Sequence, residues 1–151
     1  MVEEPDKVTE KQLDMWVADF DSWDLCDQCC SNLIDKTPYA YRKAAEWCKD
    51  EREFVKRAGY TMMAVLAVHD KEASDARFIS FLSLIKEGTT DKRNFVKKSV
   101  NWALRQIGKR NEKLRRLAIA ASYDIKKNGT GNSRWIASDA LRELEGKKDL
   151  M

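Results

Sequence analysis

Phe54-Val55-Lys56-Arg57 returns forty-one residues later as Phe95-Val96-Lys97-Lys98. The same interval relates Ala58, Ser99 and Ala140, and also Gly59, Val100 and Leu141. A period near 41 lies within the roughly 40–47 residues of repeats made from paired helices. One such pair cannot bury its apolar face alone, so pairs stack and share a continuous core. The expected fold is therefore all-α, a HEAT-like superhelix in which one helix of each pair lines a concave inner face.

Helix punctuation along the chain supports this. Thr9 with Gln12 reads as a capping box, and Asp50 with Glu53 as a second. Ser22 can cap a helix from Trp23 to about Asp35, and Thr37-Pro38 can open one to about Lys49. The Asp50 helix would end near His69. Ser74, Asp91, Asn111 and Ser133 can cap helices ending near Gly88, Lys109, Asn128 and Gly146. That makes about eight helices, of which the inner ones begin near Ser22, Asp50, Asp91 and Ser133. Phe78, Phe81, Leu82 and Ile85 form one apolar stripe, and Val100, Leu104 and Ile107 another. Nothing alternates with period two for long, so no strands are expected. Residues 1–151 are expected to form a single domain, ordered over about 8–146 with polar, frayed ends.

Two prolines and six glycines are too few for a turn-rich β-sandwich. No apolar run reaches the roughly 18 residues of a membrane helix, and no signal peptide opens the chain, so a cytoplasmic protein is expected. Cys26 and Cys29 have C-x-x-C spacing, but there is one histidine and no second such pair. Reduced, mostly buried thiols are a better reading of Cys26, Cys29, Cys30 and Cys48 than a zinc site. Charge is unevenly placed: residues 1–50 carry 12 acids and 6 bases, whereas residues 91–127 carry 12 bases and 3 acids. Such a basic block fits either a polyanionic partner or a solvated helix surface.

Four residues could carry chemistry. Trp23 and Asp27 are one turn apart and share a helix face. Arg57 and Trp102 sit within the next two inner helices. If those helices lie side by side, all four could converge on the inner face. Each also has an ordinary structural explanation: a packed tryptophan, a solvated aspartate, an arginine paired with an acid.

Three segments resemble one known family. Phe20-Asp21-Ser22-Trp23-Asp24-Leu25-Cys26-Asp27 resembles the W-D-x-x-D segment of AlkD-type DNA alkylation-repair glycosylases. Phe54-Val55-Lys56-Arg57-Ala58 resembles the family's helix carrying an active-site arginine. Phe95-Val96-Lys97-Lys98-Ser99-Val100-Asn101-Trp102-Ala103-Leu104-Arg105 resembles its F-x-x-K-A-I-x-W-x-L-R segment, with Ser99 in place of alanine. The resemblance covers roughly residues 9–145. Family members carry further repeats ahead of the W-D-x-x-D segment, so the chain resembles their C-terminal half, as a fragment or a short relative.

The resemblance implies excision of N3- and N7-alkylated purines from duplex DNA. Asp27 would match the catalytic aspartate, Trp23 and Trp102 the tryptophans flanking the lesion, and Arg57 the arginine near its phosphate. Lys97, Lys98 and Arg105 would contact the DNA backbone, and no metal or organic cofactor is expected. Two other readings stay open: a truncated, non-catalytic DNA-binding module, and a protein-interaction scaffold.

Overall fold

A computed structural model describes residues 9–18, 27, 30 and 39–149. Seven helices lie among them and no strand. They are α1 (Glu10–Ala18), α2 (Ala40–Trp47), α3 (Glu53–His69), α4 (Asp75–Gly88), α5 (Asn94–Arg110), α6 (Glu112–Asn128) and α7 (Gly131–Asp149). Asp27 and Cys30 are also helical. The rest of the expected helix from Trp23 to Asp35 falls outside the described residues, as do Thr37 and Pro38.

The helices form two rows. In the front row α3 lies against α5 and α5 against α7, with the α3–α5 seam the most extensive; behind them α2, α4 and α6 follow one another. This is an all-α helical repeat. Its 41-residue interval is visible in space: Phe54 and Phe95, at the same place on neighbouring helices, touch with ring centroids 5.5 Å apart. Both apolar stripes expected on α4 and α5 are buried. Full burial of such a side chain contributes about 1.5–3 kcal/mol relative to exposure.

Close approach of two helices explains Gly59. A Cβ there would lie 2.3 Å from Cys48 N and 2.9 Å from the Ala44 carbonyl oxygen, so α2 can meet α3 only where a side chain is missing. Ser99, at the matching place of Ala58, is buried and bonds its own helix through the Val96 carbonyl at 2.7 Å.

Two helix starts form as expected. Thr9 and Gln12 exchange hydrogen bonds of 2.9 and 3.2 Å, which completes the capping box, and the Asn111 side chain accepts from Leu114 N at 2.9 Å. Asp50 and Asp91 do not cap. The helices begin three residues later, at Glu53 and Asn94. Each carboxylate instead accepts from the amide and guanidinium of an arginine two residues on, Arg52 or Arg93, at 2.8–3.1 Å. Ser74 is an N-cap without a side-chain bond. The last helix starts at Gly131, ahead of the expected Ser133, and continues past Gly146 to Asp149.

These loops lock the repeats in register. Arg93 Nη1 donates to the Glu51 carbonyl at 2.8 Å. Asn132, forty-one residues after Asp91, donates to the Thr89 and Asp91 carbonyls, both at 2.9 Å. Ser133 Oγ donates to the Thr89 carbonyl as well, at 3.0 Å. Lys56 of α3 pairs with Asp91 at 3.0 Å. Burial alone would raise the Asp91 pKa, but the bonds from Arg93 and Lys56 outweigh it and hold the carboxyl well below the usual range.

At the N-terminal end, buried Lys43 joins α1 to α2. Its ammonium meets Glu10, Asp14 and Glu46 at 2.8–3.1 Å. Cys30 and Cys48 are buried, and the Cys30 thiol donates to the Ala58 carbonyl at 3.8 Å. Burial pushes the Cys48 thiol up to about 11. Among the described residues no helix is long and apolar enough to cross a membrane.

Candidate DNA-facing site on the front row

Arg57 sits in the second turn of α3, where the apolar run Val55, Ala58 and Tyr60 pulls the helix into the core. A cation there must find partners, because an unpaired buried charge is prohibitively costly. Its side chain is 8% exposed, and the guanidinium donates through three nitrogens. Nε and Nη2 reach the two oxygens of Asp27 at 3.1 and 2.7 Å, and Nη1 reaches the Phe95 carbonyl at 2.7 Å. One turn further along α3, the fully buried Thr61 donates its hydroxyl to Asp27 Oδ1 at 3.3 Å. The Asp27 side chain is 20% exposed.

The structure thus brings Asp27 and Arg57 together, as a bidentate pair. Trp102 lies on α5, half-buried against the core. It stands forty-one residues after Thr61, which puts it at the matching position of the next front-row helix. Trp23 lies outside the described residues. Lys98 is exposed at the position that matches Arg57. Lys97 is half-buried, its ammonium 4.4 Å from the ring centre of Trp135, a tryptophan 41% exposed on α7.

Arg105 is differently employed. Its Nη1 meets Glu143 at 2.9 Å, its Nε donates to Asn101 Oδ1 at 2.9 Å, and Asp139 lies 3.9 Å away. Lys109 pairs with the same Glu143 at 2.6 Å. Burial would raise the Glu143 pKa, yet these two cations bring it below the ordinary value. Asn101 in turn donates to the Ile136 carbonyl at 3.0 Å, so the buried amide is satisfied on both sides.

The basic block does not form one surface. Arg93 serves Asp91, and Arg110 donates to the Ala67 and Ala73 carbonyls at 3.0 Å while covering Phe78. Lys113, Arg115, Arg116, Lys126 and Lys127 ride on α6, in the back row. Arg115 and Arg116 there meet Glu112. Of the block's five cations on α5, Lys98 is the exposed one, and α7 adds exposed Arg134 and Arg142 to the front row.

Thr61 and Glu143 were not anticipated from the sequence. Thr61 follows Arg57 by four residues and so shares its helix face. Glu143 follows Trp102 by forty-one. Two hollows, of about 430 and 470 Å³, are lined by residues around Lys71 and Arg110 and around Lys86 and Ser133 respectively. Neither borders Asp27, Arg57 or Trp102.

No curated protein and no solved structure matches the chain. A family model described as DNA alkylation repair enzyme matches residues 1–144. With nearly all of its length covered, and an all-α repeat as its fold, the chain belongs to the DNA alkylation repair enzyme family.

Proposed function

We propose that the protein is a DNA glycosylase that removes N3- or N7-alkylated, cationic purines from duplex DNA, with Asp27 as its catalytic carboxylate. The observation that carries this reading is the hydrogen-bonded Asp27 on the front row of a chain from a DNA alkylation repair family. Alkylation at these nitrogens already makes the base a good leaving group. The C1′–N bond breaks with its electron pair going to the purine, which departs neutral. Positive charge then develops on the sugar, and a preorganised carboxylate stabilises it. Water adds to C1′, and its proton passes to Asp27 and on to solvent. An ionised aspartate suffices for both steps.

Trp102, and Trp23 from the segment that resembles W-D-x-x-D, would offer π faces to the cationic base and sugar, each worth about 0.5–2 kcal/mol. Lys97 and Lys98 would meet phosphates, giving affinity that falls with salt. Little base-sequence readout is expected from such contacts.

One observation favours the non-catalytic alternative. Glu143 already occupies Arg105 and Lys109, which reduces the positive charge available to grip a duplex. Incubation with a duplex bearing N7-methylguanine separates the two readings. Release of the free modified base is expected; tight duplex binding with no release would favour the binding module, and neither would favour a protein-interaction scaffold.

A further inference from the structure

The donors around Asp27 can be sorted by oxygen. Each oxygen of an ionised carboxylate has about two acceptor positions. Oδ1 uses both, accepting from Arg57 Nε at 3.1 Å and Thr61 Oγ1 at 3.3 Å. Oδ2 accepts from Arg57 Nη2 at 2.7 Å, and among the described residues its second position is open. The two oxygens are therefore not equivalent, and Thr61 is what makes them so.

We propose that Thr61 is a positioning residue that, together with Arg57, presents Asp27 Oδ2 to the substrate sugar. This rests on the glycosylase reading and adds which oxygen meets the charge developing at C1′. Arg57 is the mount: its side-on fork holds the carboxylate plane, and Nη1 ties that plane to the start of α5 through the Phe95 carbonyl. The fork alone leaves the second position of either oxygen open. The Thr61 hydroxyl fills the one on Oδ1, from a site with no solvent exposure, so among the described residues Oδ2 is left to receive a water or face the sugar. Thr61 and Trp102 hold matching positions in the 41-residue register, on neighbouring front-row helices.

Thr61→Val keeps the side-chain shape and deletes the hydroxyl; Thr61→Ser restores it. A hydrogen bond to an ionised group corresponds to a factor of roughly 10–100. In single-turnover excision of N7-methylguanine from a duplex, Thr61→Val should slow release about 10–100-fold, with the duplex Kd within about twofold of wild type. Thr61→Ser should recover to within about threefold. Thermal melting of each variant accompanies the rates, so that a folding defect is seen directly. The proposal is overturned if Thr61→Val matches wild type, or if Thr61→Ser is as slow as Thr61→Val, while wild type excises and Asp27→Asn does not. Excision by Asp27→Asn at the wild-type rate removes Asp27 from the chemistry, and no excision by wild type overturns the glycosylase assignment itself.

Discussion

Replacing Glu143 by Gln should tighten duplex binding and steepen its dependence on salt. Glu143 holds Arg105 at 2.9 Å and Lys109 at 2.6 Å, with all three side chains 25–33% exposed. At such partial exposure the pairs contribute at most about 1 kcal/mol to folding. Arg105 also keeps its bond to Asn101, so Tm should move little. The larger effect is on phosphate contacts. Each cation that neutralises a phosphate adds about 0.9 to the slope of log K against log salt. Two released cations would add about 1.8. Lowering salt from about 200 to about 50 mM would then tighten the variant about tenfold more than wild type, and one released cation would give about threefold. Fluorescence anisotropy of a labelled duplex across that range reads the slope. An unchanged slope in a folded variant would mean that Arg105 and Lys109 do not lie on the DNA track.

Other outcomes follow from the same contacts. Lys97→Ala with Lys98→Ala should weaken duplex binding and flatten the salt slope by up to about 1.8; unchanged binding would move the interface away from the start of α5. Asp91→Asn should lower stability by about 1–3 kcal/mol near neutral pH, because Lys56 and Arg93 lose an ionised partner. The sign with pH is fixed: a depressed folded pKa gives stability that is full above the unfolded value of about 3.9 and fades as pH falls toward the folded one. The Tm gap between wild type and Asp91→Asn should therefore be open at pH 6 and narrow steadily below about pH 4; a constant gap would be the wrong result. Gly59→Ala should destabilise by about 1–3 kcal/mol in chemical denaturation, since its methyl would strike the backbone of Cys48 and Ala44. A neutral effect would show that α2 can back away from α3.

The repeat and its apolar stripes could be read along the chain because they depend on local spacing: Phe54 and Phe95, forty-one apart, do meet. Capping was legible at Thr9 and Asn111 but not at Asp50 and Asp91. There the arginine two residues on offers an amide and a guanidinium together, which wins over a helix amide further along. Linear charge summing treated residues 91–127 as one patch, although α5 and α6 belong to different rows. The pairing of Arg57 with an acid was foreseeable as the ordinary fate of a buried arginine. That the acid is Asp27 required coordinates, because thirty residues separate the two. Glu143 was hidden for the same reason: a carboxylate one repeat away neutralises cations that look free when only their own helix is considered.

The central claim is that the carboxylate of Asp27 performs the chemistry while other residues hold the DNA. Single-turnover release of N7-methylguanine from a duplex, compared between wild type and Asp27→Asn at matched saturation, tests it most directly. The account predicts a loss of about 10²–10³ in rate with duplex binding retained. Equal rates in the two proteins would contradict it.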